Sequence, residues 1–249
     1  MNDHPDNRLK VADPDRWLGT RFIGDPVARR DVVALYALDL ELGAVAQRAT
    51  NPLMAEIRFA WWRERCEALV TGAAGTEHPV LTALAPALAQ GRMALTALDA
   101  MISARHAELS DPWFEDESAL DLYLEDLDVT RIASVAARLD PSAPHEAFAA
   151  AARLDGLARL AHRVVETGAL PAWWPRTWQN LAAEAGCDDA VLRHLGHKLD
   201  QLRLAARSAP ALSPEAFPAI AHVALATDQR QGPIRRRLRL LQAVAAGRI

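Results

Sequence analysis

A chain of 249 residues, 51% hydrophobic and 24% charged, carries enough apolar surface for one sizeable core. Its formal net charge of -4 gives no overall attraction to nucleic acid, so that class of partner is excluded. The two cysteines, Cys66 and Cys187, lie far apart with no CxxC pair, which excludes a disulfide framework or a cysteine metal centre and implies a reduced, cytoplasmic setting.

Residues 1–15 are polar, acidic and proline-containing, without the basic start and apolar stretch of a secretory signal. Residues 1–13 are expected to be disordered or poorly ordered, with 14–249 forming one helical domain. Charges interrupt every apolar run well before the ~18 residues of a membrane span, so no membrane-crossing helix is expected and any membrane contact would be peripheral. The expected setting is cytoplasmic, with the inner face of the membrane as the place of any such contact.

Apolar residues recur at three- and four-residue spacing almost throughout, and alternating β-branched runs are absent; the class is all-α, a single-domain helical bundle. Asp13-Pro14 and Asp25-Pro26 each place an acidic N-cap before a proline, the signature of a helix entry. The second opens a helix to about Ala49 that is apolar almost all round. Asn51-Pro52 starts the next, to Val70. Further helices are expected from His78-Pro79 to Gln90, Met93 to Ser110, Ser118 to Leu139, and His145 to Glu166. The C-terminal part continues with helices from Trp178, from Asp188 to Ser208, from Pro214 to Thr227, and from Gly232 to the end.

Several clusters invite a chemical reading. Asp121 and Glu125 stand at i, i+4 in an acidic run and are spaced for a metal pair, yet a helix start with a solvated acidic face is the expectation. Asp39 and Glu41, at i, i+2, point to different helix faces. His162, His194 and His197 suggest acid-base work or metal binding; His194 and His197 have ligand spacing, but no third ligand at motif spacing accompanies them, and a surface pair is the expectation. Cys66, Trp61-Trp62 and Trp173-Trp174 are expected to pack. In the last helix, Ile234, Leu238, Leu241 and Val244 share a face beside Arg235, Arg236, Arg237 and Arg239. That face is expected to pack on the domain, with peripheral membrane contact as the alternative.

Five short pieces in order resemble the squalene/phytoene synthase family. They are Arg30-Asp31 with Ala34-Leu35-Tyr36-Ala37-Leu38; Arg58 with Trp62-Arg63; His78-Pro79-Val80; Tyr123; and Gly168 with Leu170-Pro171. The resemblance implies the all-α isoprenoid synthase fold and head-to-head joining of two isoprenyl diphosphates, with paired aspartates holding Mg²⁺. The first aspartate pair then falls on Gly43 and Gln47, neither of which supplies a carboxylate. In the second motif Glu166 replaces one aspartate and Leu170 the other.

This pattern resembles a divergent branch of the family that includes the mitochondrial complex I assembly factor. It implies a non-catalytic protein needing no cofactor, with an assembly client or an isoprenoid lipid as partner. Arg30, Tyr36, Glu41, Arg58, Tyr123 and Glu166 are what would remain of a site. The alternative is a prenyl transferase with a rearranged metal site, for which Mg²⁺ would be required. A third reading is a lipid carrier that retains an apolar tunnel.

Overall fold

Prolines and short polar caps set most helix entrances in the computed structural model, which describes residues 4–48, 51–73, 77–110, 114–167, 174–185, 189–226 and 233–249. Pro14, Pro26, Pro52 and Pro79 occupy the first helical position, where a missing N–H costs no hydrogen bond. The residue before each supplies an acceptor. The Asp13, Asp25, Asn51 and His78 side chains accept from the backbone N–H of Arg16, Val27, Leu53 and Val80. These caps start α2 (Pro14–Thr20), α3 (Pro26–Arg48), α4 (Pro52–Val70) and α5 (Pro79–Ala89).

The bundle is organised around α3, whose residues Asp31 to Asp39 are all buried. Helices α4, α5 and α6 (Leu95–Ala107) pack against it, as do α2 and α8 (Thr130–Leu139). Beyond these, α9 (Ala149–Thr167) lies against α7 (Glu117–Leu124), α8 and α11 (Asp189–Ser208). Helix α10 (Arg176–Ala185) rests on α11, and α13 (Pro233–Ala246) on the short α12 (Val223–Ala226). The expected all-α class holds: every regular element among the described residues is helical. Among them, no helix is long and apolar enough to cross a membrane.

Three segments differ from expectation. Residues 5–12, expected to be poorly ordered, form α1 (Pro5–Ala12), which packs on α3 and α2 with Leu9 fully buried. Two buried apolar residues, Pro5 and Leu9, and several polar pairs hold it: the Trp17 indole and Arg21 both donate to Asp6, and Arg8 pairs with Glu41. The expected Ser118–Leu139 helix is interrupted by a π-helical turn over Glu125–Val129. The expected Pro214–Thr227 helix is instead a 3₁₀ turn, Phe217–Ala219, followed by the four-residue α12. Phe217 to Leu225 is buried on all sides, so tertiary packing overrides a regular helix there, and Pro218 lacks an N–H for the ladder.

Gly91 is a turn that demands glycine. At φ 64° it closes α5, and the Arg92 N–H then reaches back to the Ala87 carbonyl at 2.8 Å. The reversal delivers the Arg92 guanidinium to Asp31, at 2.8 and 3.1 Å, where Arg138 of α8 also donates at 2.7 Å.

Candidate functional site

Charged residues converge where the helices around α3 meet. Asp39 is 1% exposed and accepts from three arginines on three other helices. Arg105 of α6 reaches Oδ1 through Nη2 at 2.6 Å and Nε at 3.2 Å, while Arg16 of α2 and Arg131 of α8 each reach Oδ2 at 3.0 Å. Arg16 and Arg131 extend the cluster to Asp155 of α9, at 2.9 and 3.1 Å. His222 lies 3.5 Å from the same Asp155 oxygen.

Two carboxylates close the periphery. Glu108 accepts from Arg105 and from the Tyr123 hydroxyl, both at 2.6 Å. Asp128 accepts from Arg131 at 2.7 Å and from Arg159 at 2.9 and 3.1 Å. Four guanidinium groups (Arg16, Arg105, Arg131, Arg159) thus face four carboxylates (Asp39, Glu108, Asp128, Asp155), and Asp13 stands at the edge, 3.4 Å from Arg16. Each buried guanidinium is matched by carboxylates of the chain itself.

Local structure explains the convergence. The π turn after α7 carries Asp128 one turn before Arg131 and presents its carboxylate to α9, where only glycine fits opposite. A Cβ on Gly156 would lie 2.2 Å from Asp128 Oδ2. Gly43, one turn beyond Asp39, likewise faces the Arg105 guanidinium: a Cβ there would sit 3.5–3.7 Å from its carbon and terminal nitrogens.

Electrostatics follows from burial among opposite charges. Burial by itself raises the Asp39 carboxyl, but Arg105, Arg131 and Arg16 outweigh it and hold the group well below the usual carboxylate range. Asp155 behaves likewise: burial is outweighed by Arg16, His222 and Arg131. Arg16 remains charged despite burial because Asp13, Asp155 and Asp39 face it, and Arg105 because Asp39 and Glu108 do. Burial pushes the Tyr36 hydroxyl up to about 12, against the pull of Arg16 and Arg131. Its ring lies under the Arg16 guanidinium, 5.7 Å from centroid to carbon, and edge-on to His222.

The structure separates the six residues that the sequence grouped as a residual site. Tyr36 and Tyr123 reach the cluster. Arg30 and Arg58 are exposed, and Glu41 is half-buried and paired with Arg8 of α1. The side chain of Glu166, like Trp173 and Cys187, lies outside the described residues. Of the degenerate motif, Gly43 is buried against Arg105 while Gln47 is exposed at the end of α3.

The acidic and histidine candidates resolve into ordinary pairs. Asp121 meets Lys198 at 2.9 Å, and Glu125 meets Arg153 at 2.6 Å. His194 contacts Glu117 at 3.0 Å, whereas His197 contacts Gln201 at 2.9 Å, so the two histidines do not share a ligand. Cys66, Trp62 and Trp174 are buried, as expected of packing residues.

A Mg²⁺ cluster of the kind the family resemblance implies does not fit these residues. Mg²⁺ requires near-octahedral oxygen ligands with room for waters. Here each central carboxylate is occupied by guanidinium donors, and a dication would enter among four arginines. Among the described residues no group of three His, Cys, Asp or Glu side chains is placed to hold a metal ion.

Sequence reasoning missed most of the cluster: Arg16, Arg105, Glu108, Arg131, Asp155, Arg159 and His222. The available signal was charge inside apolar faces. Arg105/Glu108 and Asp128/Arg131 are opposite charges at i, i+3, set on helices whose neighbouring positions at helical spacing (Met101 and Ile102, Leu124 and Val135) are core residues.

The family model for squalene/phytoene synthase matches residues 9–178. The chain belongs to the squalene/phytoene synthase family. A crystal structure of a dehydrosqualene synthase in complex with ligand superposes with a TM-score of 0.72, covering 97% of this chain and 94% of that one at 11% identity. This shows that the isoprenoid synthase fold spans nearly the whole chain. In sequence, the chain is 21% identical over 120 residues to the NADH dehydrogenase (ubiquinone) complex I assembly factor 6 homolog of Dictyostelium discoideum. The matched stretch is 48% of this chain and 33% of that relative.

Proposed function

We propose that this family member is non-catalytic and acts as a helical scaffold in the assembly of a membrane-associated enzyme. The observation that carries the reading is the self-neutralised cluster at the centre of the bundle. Diphosphate chemistry in this fold calls for carboxylates free to hold metal ions, which in turn hold a polyanion. Here the central carboxylates are bound to the chain's own arginines, Gly43 and Gln47 bring none, and the Arg105 guanidinium lies against Gly43. The Dictyostelium relative, named as a complex I assembly factor, supports the choice of an assembly role and of NADH dehydrogenase as client. The proposed place of action is the inner face of the membrane.

The test has two parts. Purified protein incubated with Mg²⁺ and farnesyl or geranylgeranyl diphosphate is expected to release no diphosphate. Turnover that disappears in Glu166→Ala would establish the prenyl transferase instead. Deleting the gene is expected to lower the amount of assembled NADH dehydrogenase in the host's membranes. Normal assembly in the deletion, with an isoprenoid co-purifying with the protein by mass spectrometry, would replace the scaffold by a lipid carrier.

A further inference from the structure

The terminal helix α13 presents to solvent the leucines that its sequence pattern assigns to the core. Leu240 and Ala243 are buried on the inner side, and Arg236 is tied by an ion pair to Asp15 of α2. These contacts fix the rotation of the helix. Leu238 and Leu241 consequently stand 53% and 52% exposed on the outer face. Arg235, Gln242 and Ala245 share that face at helical spacing, and all are exposed, as is Arg248 just past the helix end.

Charge is concentrated in the same place. Residues 233–249 contain five arginines and no acidic residue, in a chain whose formal net charge is -4. The outer face therefore pairs a leucine ridge with arginines at both ends. Two half-exposed leucines on one turn are far from the ~800 Å² per partner that a stable protein interface buries. An anionic bilayer asks for less, because a few apolar side chains at the headgroup boundary and several basic groups near the surface add up.

We infer that the outer face of α13 is a docking surface for an anionic lipid bilayer, with Leu238 and Leu241 entering the headgroup boundary and Arg235 and Arg248 on lipid phosphates. The inference rests on this helix alone and does not depend on the scaffold reading, which is tested by turnover and assembly.

The experiment is flotation of the full-length protein with phosphatidylcholine vesicles, with and without about one-third phosphatidylglycerol. The wild type is expected to float with the anionic vesicles and not with the neutral ones. Leu238→Gln/Leu241→Gln and, separately, Arg235→Gln/Arg248→Gln are each expected to weaken partitioning by roughly tenfold or more. All four side chains are exposed, so an unchanged thermal midpoint checks that the fold is intact. Equal flotation of the leucine variant and the wild type would overturn the proposal. Wild-type protein that ignores anionic vesicles would also overturn it, leaving an acidic protein face as the occupant.

Discussion

Replacing Asp39 by asparagine tests whether the central cluster behaves as one electrostatic unit. The substitution keeps the side-chain shape and removes one negative charge from beneath three guanidinium groups at 2.6–3.2 Å. It also turns an amide N–H₂ toward donors, leaving at least one buried donor unsatisfied. Deleting one partner of a buried ion pair costs about 3–5 kcal/mol, because the charge left behind has been taken out of water without compensation. In a chain of this size ~1 kcal/mol shifts the melting midpoint by ~2–4 °C, so the Asp39→Asn variant should melt roughly 10 °C below the wild type.

Acid titration supplies an independent arm of the same test. The Asp39 carboxyl is held well below its ordinary range in the folded protein, whereas an unfolded aspartate titrates near ~3.9. The stability it contributes is fully present above that unfolded value and is lost as pH falls toward the folded one. Wild-type stability should therefore fall more steeply with acid below about pH 4 than that of the asparagine variant. Adding Arg16→Gln restores charge balance, so the double variant should lose less than the sum of the single losses. A melting midpoint lowered by less than ~2 °C in Asp39→Asn, or strict additivity in the double variant, would refute the reasoning.

The same geometry fixes four further outcomes. Gly156→Ala drives a methyl group into the Asp128 carboxylate and Leu124 and should cost about 3 kcal/mol or more in thermal or urea unfolding. Gly196→Ala in α11 meets nothing within 4 Å and should stabilise by about 0.5–1 kcal/mol. The two buried tyrosines should differ in urea unfolding: Tyr123→Phe removes a 2.6 Å hydrogen bond to Glu108 and should lose about 1 kcal/mol. Tyr36→Phe removes a hydroxyl for which the described residues offer no partner, and should fall within ~0.5 kcal/mol of the wild type. Gly43→Asp with Gln47→Asp should gain no Mg²⁺-dependent turnover of farnesyl diphosphate, because the first new carboxylate arrives beside Arg105; release of diphosphate by this variant would show that Arg105 yields to metal.

Local rules made the helix entrances legible: proline after Asp or Asn marked α2, α3 and α4 to within a residue, and the apolar pattern of α3 marked it as the core helix. The π turn at 125–129 was not legible, since no local residue demands it; it lies where Asp128 faces both Arg131 and Arg159 across Gly156. The charge cluster was hidden for a related reason. Asp39 is separated from its arginines by 23, 66 and 92 residues in sequence, and periodicity reports which face is apolar without reporting which distant charge completes a pair. In α13 the leucine spacing marks a stripe but not the side it faces, because the small inner residue Ala243 and the Arg236–Asp15 pair decide the rotation.

A cluster of this kind constrains what the protein can do with its interior. Each arginine contacts at least one carboxylate on another helix or, for Arg159, on the π turn packed against its helix. Opening a path for a long substrate between α3 and α9 would therefore separate several buried charges at once. The loss of any one pair is comparable with a large part of the ~5–15 kcal/mol that holds a typical domain together. Function at the centre would thus compete directly with folding, whereas function on the outside would not. The exposed leucine–arginine face of α13 can be used without disturbing the central cluster, since its inner contacts are with α12 and, through Asp15, with α2. On the proposed reading, a centre occupied by its own charge pairs and two leucines left exposed on the terminal helix place the working surface of this family member on the exterior of the bundle.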